Sequence, residues 1–132
     1  MNMKLELVNV PVSDVDKAIE FYTKIGFNKD QDHTVNENLR FVQLTPPGSA
    51  CSISIGKGLS DAKPGSVRGL QIVVDNAEEA RQHMLDAGVV VGEVDVQDWG
   101  SFVYYADPDG NTWALQQLPD YSKHPEWDDS NK

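Results

Sequence analysis

Val12-Ser13-Asp14-Val15-Asp16-Lys17-Ala18-Ile19-Glu20-Phe21-Tyr22, followed by Gly26-Phe27, decides how this chain folds. A β-branched strand end runs into Ser13-Asp14, whose side chains suit the free amides of a helix's first turn. Ala18, Phe21, Tyr22 and Ile25 then fall on one helical face, which predicts a helix over 15–24. Gly26 stands where a left-handed residue ends such a helix. Upstream, residues 4–12 are rich in β-branched side chains and read as a strand.

The pattern recurs. A shift of 62 positions places Val12 on Val74, Ala18 on Ala80, Gly26 on Gly88, Pro46 on Pro108 and Gly48 on Gly110. The second copy opens with a strand over 67–74, is capped at Asp75-Asn76, and continues as a helix over 77–86 carrying Ala80, Met84 and Ala87. Three shorter strands follow in each copy, near 26–36, 38–44 and 50–56, then near 89–96, 101–106 and 112–117. Pro46-Pro47-Gly48 and Asp107-Pro108-Asp109-Gly110 make the turns before each last strand. The chain therefore reads as βαβββ twice within a single domain: module one over 4–56, a linker over 57–65, module two over 66–118, and a polar tail over 119–132.

Composition narrows the function. The 132 residues carry 21 acidic and 11 basic side chains, a formal charge of -10. That field repels phosphate backbones and anionic membranes, so the reading is of no nucleic-acid partner and no membrane partner. No apolar run reaches the roughly 18 residues of a membrane span, and the amino-terminal residues lack a signal-peptide core. Cys51 is the only cysteine, so neither an internal disulfide nor a Cys-pair zinc site can form. A cytoplasmic, reduced protein is the expectation.

The duplicated βαβββ order, the 12–22 stretch with Gly26-Phe27, and Asp107-Pro108-Asp109-Gly110-Asn111 before the closing strand resemble the vicinal oxygen chelate superfamily. That superfamily includes glyoxalase I, ring-cleaving dioxygenases and bleomycin-resistance proteins. The resemblance spans residues 4–118. It implies an α+β fold in which two βαβββ modules curl a mixed sheet around a cavity, with helices outside, and it implies a homodimer. Fold alone does not fix chemistry here. Metal-dependent members take ligands from the first and last strand of each module, which by register fall on Leu7, Ser52, Gly69 and Ala114. Leucine, glycine and alanine offer no donor and serine a weak one, so the expectation is no metal and no cofactor.

Strand alternation sorts the remaining candidates. Val8, Val10 and Val12 suit the helix side, as do Leu70, Ile72 and Val74. The cavity side then offers Asn9, Gln43, Ser52, Ser54, Gln71, Thr112 and Gln116. Phe41, Phe102 and Tyr104 are aromatic wall candidates, and Trp99 on the preceding loop is a lid candidate. Each of these aromatics also reads as ordinary core. Trp113 and Tyr22 are assigned to the core, the Tyr22 hydroxyl being able to reach a polar partner. His33, His83 and His124 show no ligand spacing. Glu6 is sent away from the cavity, and Cys51 is placed toward the helices as a small apolar group with no base beside it.

The resulting expectation is a metal-free protein that binds a small organic ligand, such as an antibiotic or a metabolite. The alternatives are a metal-independent isomerase, epimerase, cyclase or dehydratase, a metal-dependent lyase or dioxygenase, and an immunity or accessory protein with a vestigial cavity. Acid–base chemistry would need a titratable group in the cavity. Tyr104 is the one candidate on the strands, with Asp98 and Glu37 as loop carboxylates able to enter.

Overall fold

A computed structural model describes residues 1–123 and 125–127, so His124 and residues 128–132 lie outside the described residues. Helix α1 spans Val15–Lys24 and α2 spans Ala77–Asp86. Both begin as the sequence dictates: Lys17 N donates to Asp14 Oδ1 and Glu79 N to Asn76 Oδ1, each at 3.0 Å. Both end on a positive-φ glycine, Gly26 at 118° and Gly88 at 78°.

The strands are β1 (Leu7–Asn9), β2 (Asn28–Asn36), β3 (Leu39–Thr45), β4 (Ser52–Lys57), β5 (Leu70–Val74), β6 (Asp95–Gln97), β7 (Gly100–Ala106) and β8 (Thr112–Gln117). They form two four-stranded sheets, ordered β1-β4-β3-β2 and β5-β8-β7-β6. Each sheet with its helix is one βαβββ copy. Two strands are much shorter than their sequence patterns. The ladder of β1 ends at Val10, whose amide still bonds Ser54 O at 2.8 Å, because Pro11 has no N–H to continue it. Residues 89–94 are not a strand. There the Gly92 carbonyl, which a ladder would use, accepts from Arg81 Nε at 2.7 Å.

The contacts divide the chain into two compact units. The first comprises Met1–Leu70 together with Ala106–Thr112; the second comprises Gln71–Tyr105 and the residues from Trp113 onward. In the first unit β1 runs parallel to β4, while β3 is antiparallel to both β4 and β2. Val10, Val42, Leu44, Ile53 and Ile55 are buried along with Ala18 and Tyr22 of α1, its cap residue Ile25, and Phe27. Above this core Arg40 bridges Asp32 at 2.8 Å and Asp16 at 2.9 Å. The Arg40 hydrogen bond holds the Asp32 carboxyl below the usual range. In the second unit Met84, Val103, Tyr105, Trp113 and Leu115 are buried, and the Tyr105 and Trp113 rings stack at 6.0 Å. Trp113 is core, as read.

A buried polar node completes the first unit. Asp107 Oδ2 accepts from the Tyr22 hydroxyl and from Asn111 Nδ2, both at 2.8 Å. Asp107 Oδ1 accepts from the amides of Asp109 and Asn111. Asn111 also donates to Pro11 O at 2.9 Å and accepts from Val67 N at 3.0 Å. Asp109 in turn accepts from the Ser13 amide and hydroxyl. Gly65 passes so close that a Cβ there would lie 2.0 Å from Asp109 O. The Tyr22 hydroxyl thus finds its partner in the turn that also carries the repeat signature.

Tyr22, Asp107 and Asn111 are all buried, so an unmade bond cannot be replaced by water. Tyr22→Phe is expected to cost about 1–3 kcal/mol, and Asn111→Ala more because it strands several partners. Urea unfolding with an unchanged slope and a lowered midpoint checks both.

Candidate functional site

The face of the first sheet opposite its apolar core is polar and fixed by strand register. Leu7 pairs with Ser52 and Asn9 with Ser54 across β1 and β4. Gln43 pairs with Ser54, and Phe41 with Gly56, across β3 and β4. On the outer side Gln31 pairs with Gln43 and His33 with Phe41. Leu7, Asn9, Ser52, Ser54, Phe41, Gln43, Gln31 and His33 therefore share one face.

Its side chains are joined. Asn9 Nδ2 donates to Ser54 Oγ at 3.1 Å, and Gln43 Nε2 to Ser52 Oγ at 3.2 Å. Thr45 Oγ1 meets Ser52 Oγ at 2.6 Å and donates to the Asp30 carboxylate. Gln31 Nε2 donates to Gln43 Oε1, and His33 Nε2 lies 3.1 Å from Gln31 Oε1. Ser52 and Ser54 are only 4% and 3% exposed, so this face is held rigidly at its centre. Asn9, Gln43, Ser52, Ser54 and Phe41 lie together on this face. Sequence reading missed Gln31, His33, Thr45 and Asp30. His33 sits in a strand that is exposed throughout and has Val35 as its one apolar residue, so alternation gives no signal of which side is which.

The second unit carries an aromatic face. Phe102 and Tyr104 stack at 6.0 Å with rings 3° apart. Asp95 pairs with Phe102 across β6 and β7, so it shares that face, and its carboxylate accepts from the Tyr104 hydroxyl at 2.7 Å. That bond, with burial, pushes the Tyr104 phenol up from its ordinary value. Phe102 is buried and Tyr104 is half exposed. Trp99, exposed on the turn before β7, accepts at its carbonyl from Gln116 Nε2 at 3.1 Å, and Gln71 stands exposed on β5. Asp95 was missed because it lies in a stretch whose strand period is broken.

Of the loop carboxylates, Glu37 is exposed in the β2–β3 turn. Asp98 lines a groove of about 230 Å³ with Gln97, Ser101 and Lys123. A larger groove, about 570 Å³, runs between the β1–α1 corner and the linker, and Asn9 alone of the expected residues lines it. Cys51 is half buried at the foot of β4. His83 is exposed on α2. Among the described residues no three His, Cys, Asp or Glu side chains group as a metal site requires.

Residues 4–115 match the sequence model of the Glyoxalase/Bleomycin resistance protein/Dioxygenase superfamily, and the chain belongs to that superfamily. TnmS3, an antibiotic binding protein from Streptomyces sp. CB03234, is 31% identical with a TM-score of 0.80, covering 89% of this chain and 97% of its own. A glyoxalase/bleomycin resistance protein from the same Streptomyces strain is 32% identical with a TM-score of 0.76, covering 86% of this chain and 100% of its own. The Bacillus subtilis (strain 168) protein YetH is 27% identical over 89% of this chain and 100% of its own. No helix of the described residues is long and apolar enough to cross a membrane.

The Tyr104–Asp95 bond has a signed consequence. A phenol held neutral contributes stability at neutral pH, and that contribution is lost as pH rises through the ionisation of folded Tyr104. Asp95→Asn is expected to bring the Tyr104 ionisation back toward the ordinary tyrosine range near 10, read by phenolate absorbance during an alkaline titration.

Proposed function

We propose that this chain binds a small organic molecule, an antibiotic or a metabolite, without a metal ion or cofactor. The ligand face is the one built by Asn9, Phe41, Gln43, Ser52 and Ser54. Gln71, Trp99, Phe102, Tyr104 and Gln116 are the ligand-contact candidates of the second unit. One observation carries the reading. Leu7 and Ser52 pair where the resemblance places metal ligands, yet they offer only an aliphatic group and a hydroxyl already bonded to Gln43 and Thr45. Placed amides among apolar and aromatic groups suit recognition of an organic ligand. The likeness to an antibiotic binding protein supports the same choice. The likeness to the superfamily is the ground for expecting a homodimer. A net charge of -10 supports a soluble cytoplasmic protein with no nucleic-acid and no membrane partner.

Native mass spectrometry of the purified protein tests the proposal. The expected result is a metal-free dimer carrying an organic adduct that survives chelator. Gln43→Leu and Gln71→Leu should each weaken retention about 3–10-fold, the loss of one neutral hydrogen bond. One chelator-removable metal per chain overturns it.

A second reading, a metal-independent isomerase, epimerase or cyclase, is favoured by one observation: Asp95 holds its carboxylate against Tyr104 on the aromatic face. Conversion of the retained molecule that Asp95→Asn abolishes while binding persists would promote this reading over simple binding.

A further inference from the structure

Building on the proposal that the β1–β4 face holds a ligand, we infer that His33, Gln31, Gln43, Ser52, Thr45 and Asp30 form one directed hydrogen-bond chain. Asp30 and Thr45 set its direction, and so decide which atoms of the two glutamines a ligand meets. Asp30 and Thr45 are positioning residues for ligand recognition, although both were outside the residues expected from sequence.

The direction follows link by link from a carboxylate that only accepts. Asp30 takes Asn28 Nδ2 at 2.7 Å on one oxygen and the Thr45 hydroxyl on the other. The single proton of Thr45 is then used, so the 2.6 Å contact between Thr45 and Ser52 is a bond that Ser52 donates. The single proton of Ser52 is then used too, so Gln43 must present its nitrogen to Ser52 at 3.2 Å. Gln43 Oε1 is thereby turned toward β2, where it accepts from Gln31 Nε2 at 3.2 Å. Gln31 Oε1 faces His33 Nε2 at 3.1 Å, which leaves His33 as the Nε2–H tautomer.

With the His33 imidazole neutral, no other group along this path fixes its sense. Hydroxyls and primary amides bond equally well in either direction. Asp30 reaches its place through a strand irregularity: the β2–β3 register shifts between Lys29 and Gln31, and Asp30 is the residue left over. The direction is held most firmly in the middle, where Ser52 is buried and water cannot stand in for a missing partner.

The chemical consequence lies at Gln43 and Gln31. In the native direction the spare N–H of Gln43 is on its β4 side and the spare carbonyl lone pair on its β2 side. An accepting ligand oxygen, such as a carbonyl or ether, fits over the β4 side. Reversal would exchange the two and favour a donating group there.

Thr45→Val tests this, because it removes the hydroxyl at nearly constant volume. Ser52 then has no acceptor at position 45 and donates to Gln43, so both amides rotate and His33 must accept at Nε2. Two ligand-free NMR readouts apply to the labelled full chain with its imidazoles neutral. Nuclear Overhauser contacts from the Gln43 side-chain amide protons to Ser52 should be present in the native protein and lost in Thr45→Val. Long-range proton–nitrogen correlation should show His33 moving from the Nε2–H to the Nδ1–H tautomer. Thr45→Ser should restore both native signals. If Thr45→Val does not fold, Asp30→Ala on the exposed edge replaces it and should weaken the same Gln43–Ser52 contacts. A Gln43 amide that still donates to Ser52 in the folded variant overturns the inference. Neither readout requires a ligand, so a protein that never binds an organic molecule defeats the proposed function and leaves this result untouched.

Discussion

Asp107 is the group on which the first unit depends. Its two oxygens accept from the Tyr22 and Asn111 side chains and from two backbone amides of its own turn, and Tyr22, Asp107 and Asn111 are all buried. A buried carboxylate is costly unless its lone pairs are filled, and here four donors fill them. Through Asn111 the same node reaches Pro11 and Val67, the end of the β1 segment and the approach to β5. Through Asp109 it reaches Ser13, the residue before the α1 cap. The corner that turns β1 into α1, and with it the polar face that Asn9 shares with Ser54, is braced from this turn.

The two copies of the repeat have diverged in a way that makes this possible. The equivalent turn of module one, Pro46-Pro47-Gly48, closes with a Ser49 N to Pro46 O bond at 3.1 Å and has no carboxylate at all. One turn only closes a hairpin; the other also acts as an internal strut. The faces have diverged as well. That of β1–β4 is laced with amides and hydroxyls, while that of β6–β7 carries stacked aromatics and one Tyr–Asp pair. A duplicated scaffold carries two chemically different faces.

Much of this was legible in the sequence. The helix limits followed from Asp14, Asn76, Gly26 and Gly88, because caps are local chemistry read from a few adjacent residues. The facing of Asn9, Ser52 and Ser54 followed from alternation against valine and isoleucine, whose burial leaves no ambiguity. What could not be read was set by non-local facts. Residues 28–36 are exposed throughout and polar but for Val35, so neither the register shift at Asp30 nor the facing of His33 left a trace in the pattern. The shortness of β6 depended on Arg81 taking the Gly92 carbonyl from another element. Asp95 could be placed only once its pairing with Phe102 was known.

The discontinuous make-up of the first unit bears on how the chain is made. Asn111 bonds Pro11 across 100 positions, and Asp107 bonds Tyr22 across 85. As the polypeptide leaves the ribosome, β1, α1 and β4 are available long before the turn that fills their last polar vacancies. Contacts of such separation form late and slow the search. Until residue 111 emerges, the nascent first unit has a tyrosine hydroxyl, a proline carbonyl and a valine amide still served by water, and its cooperative closure waits for the carboxy-terminal copy to be nearly complete.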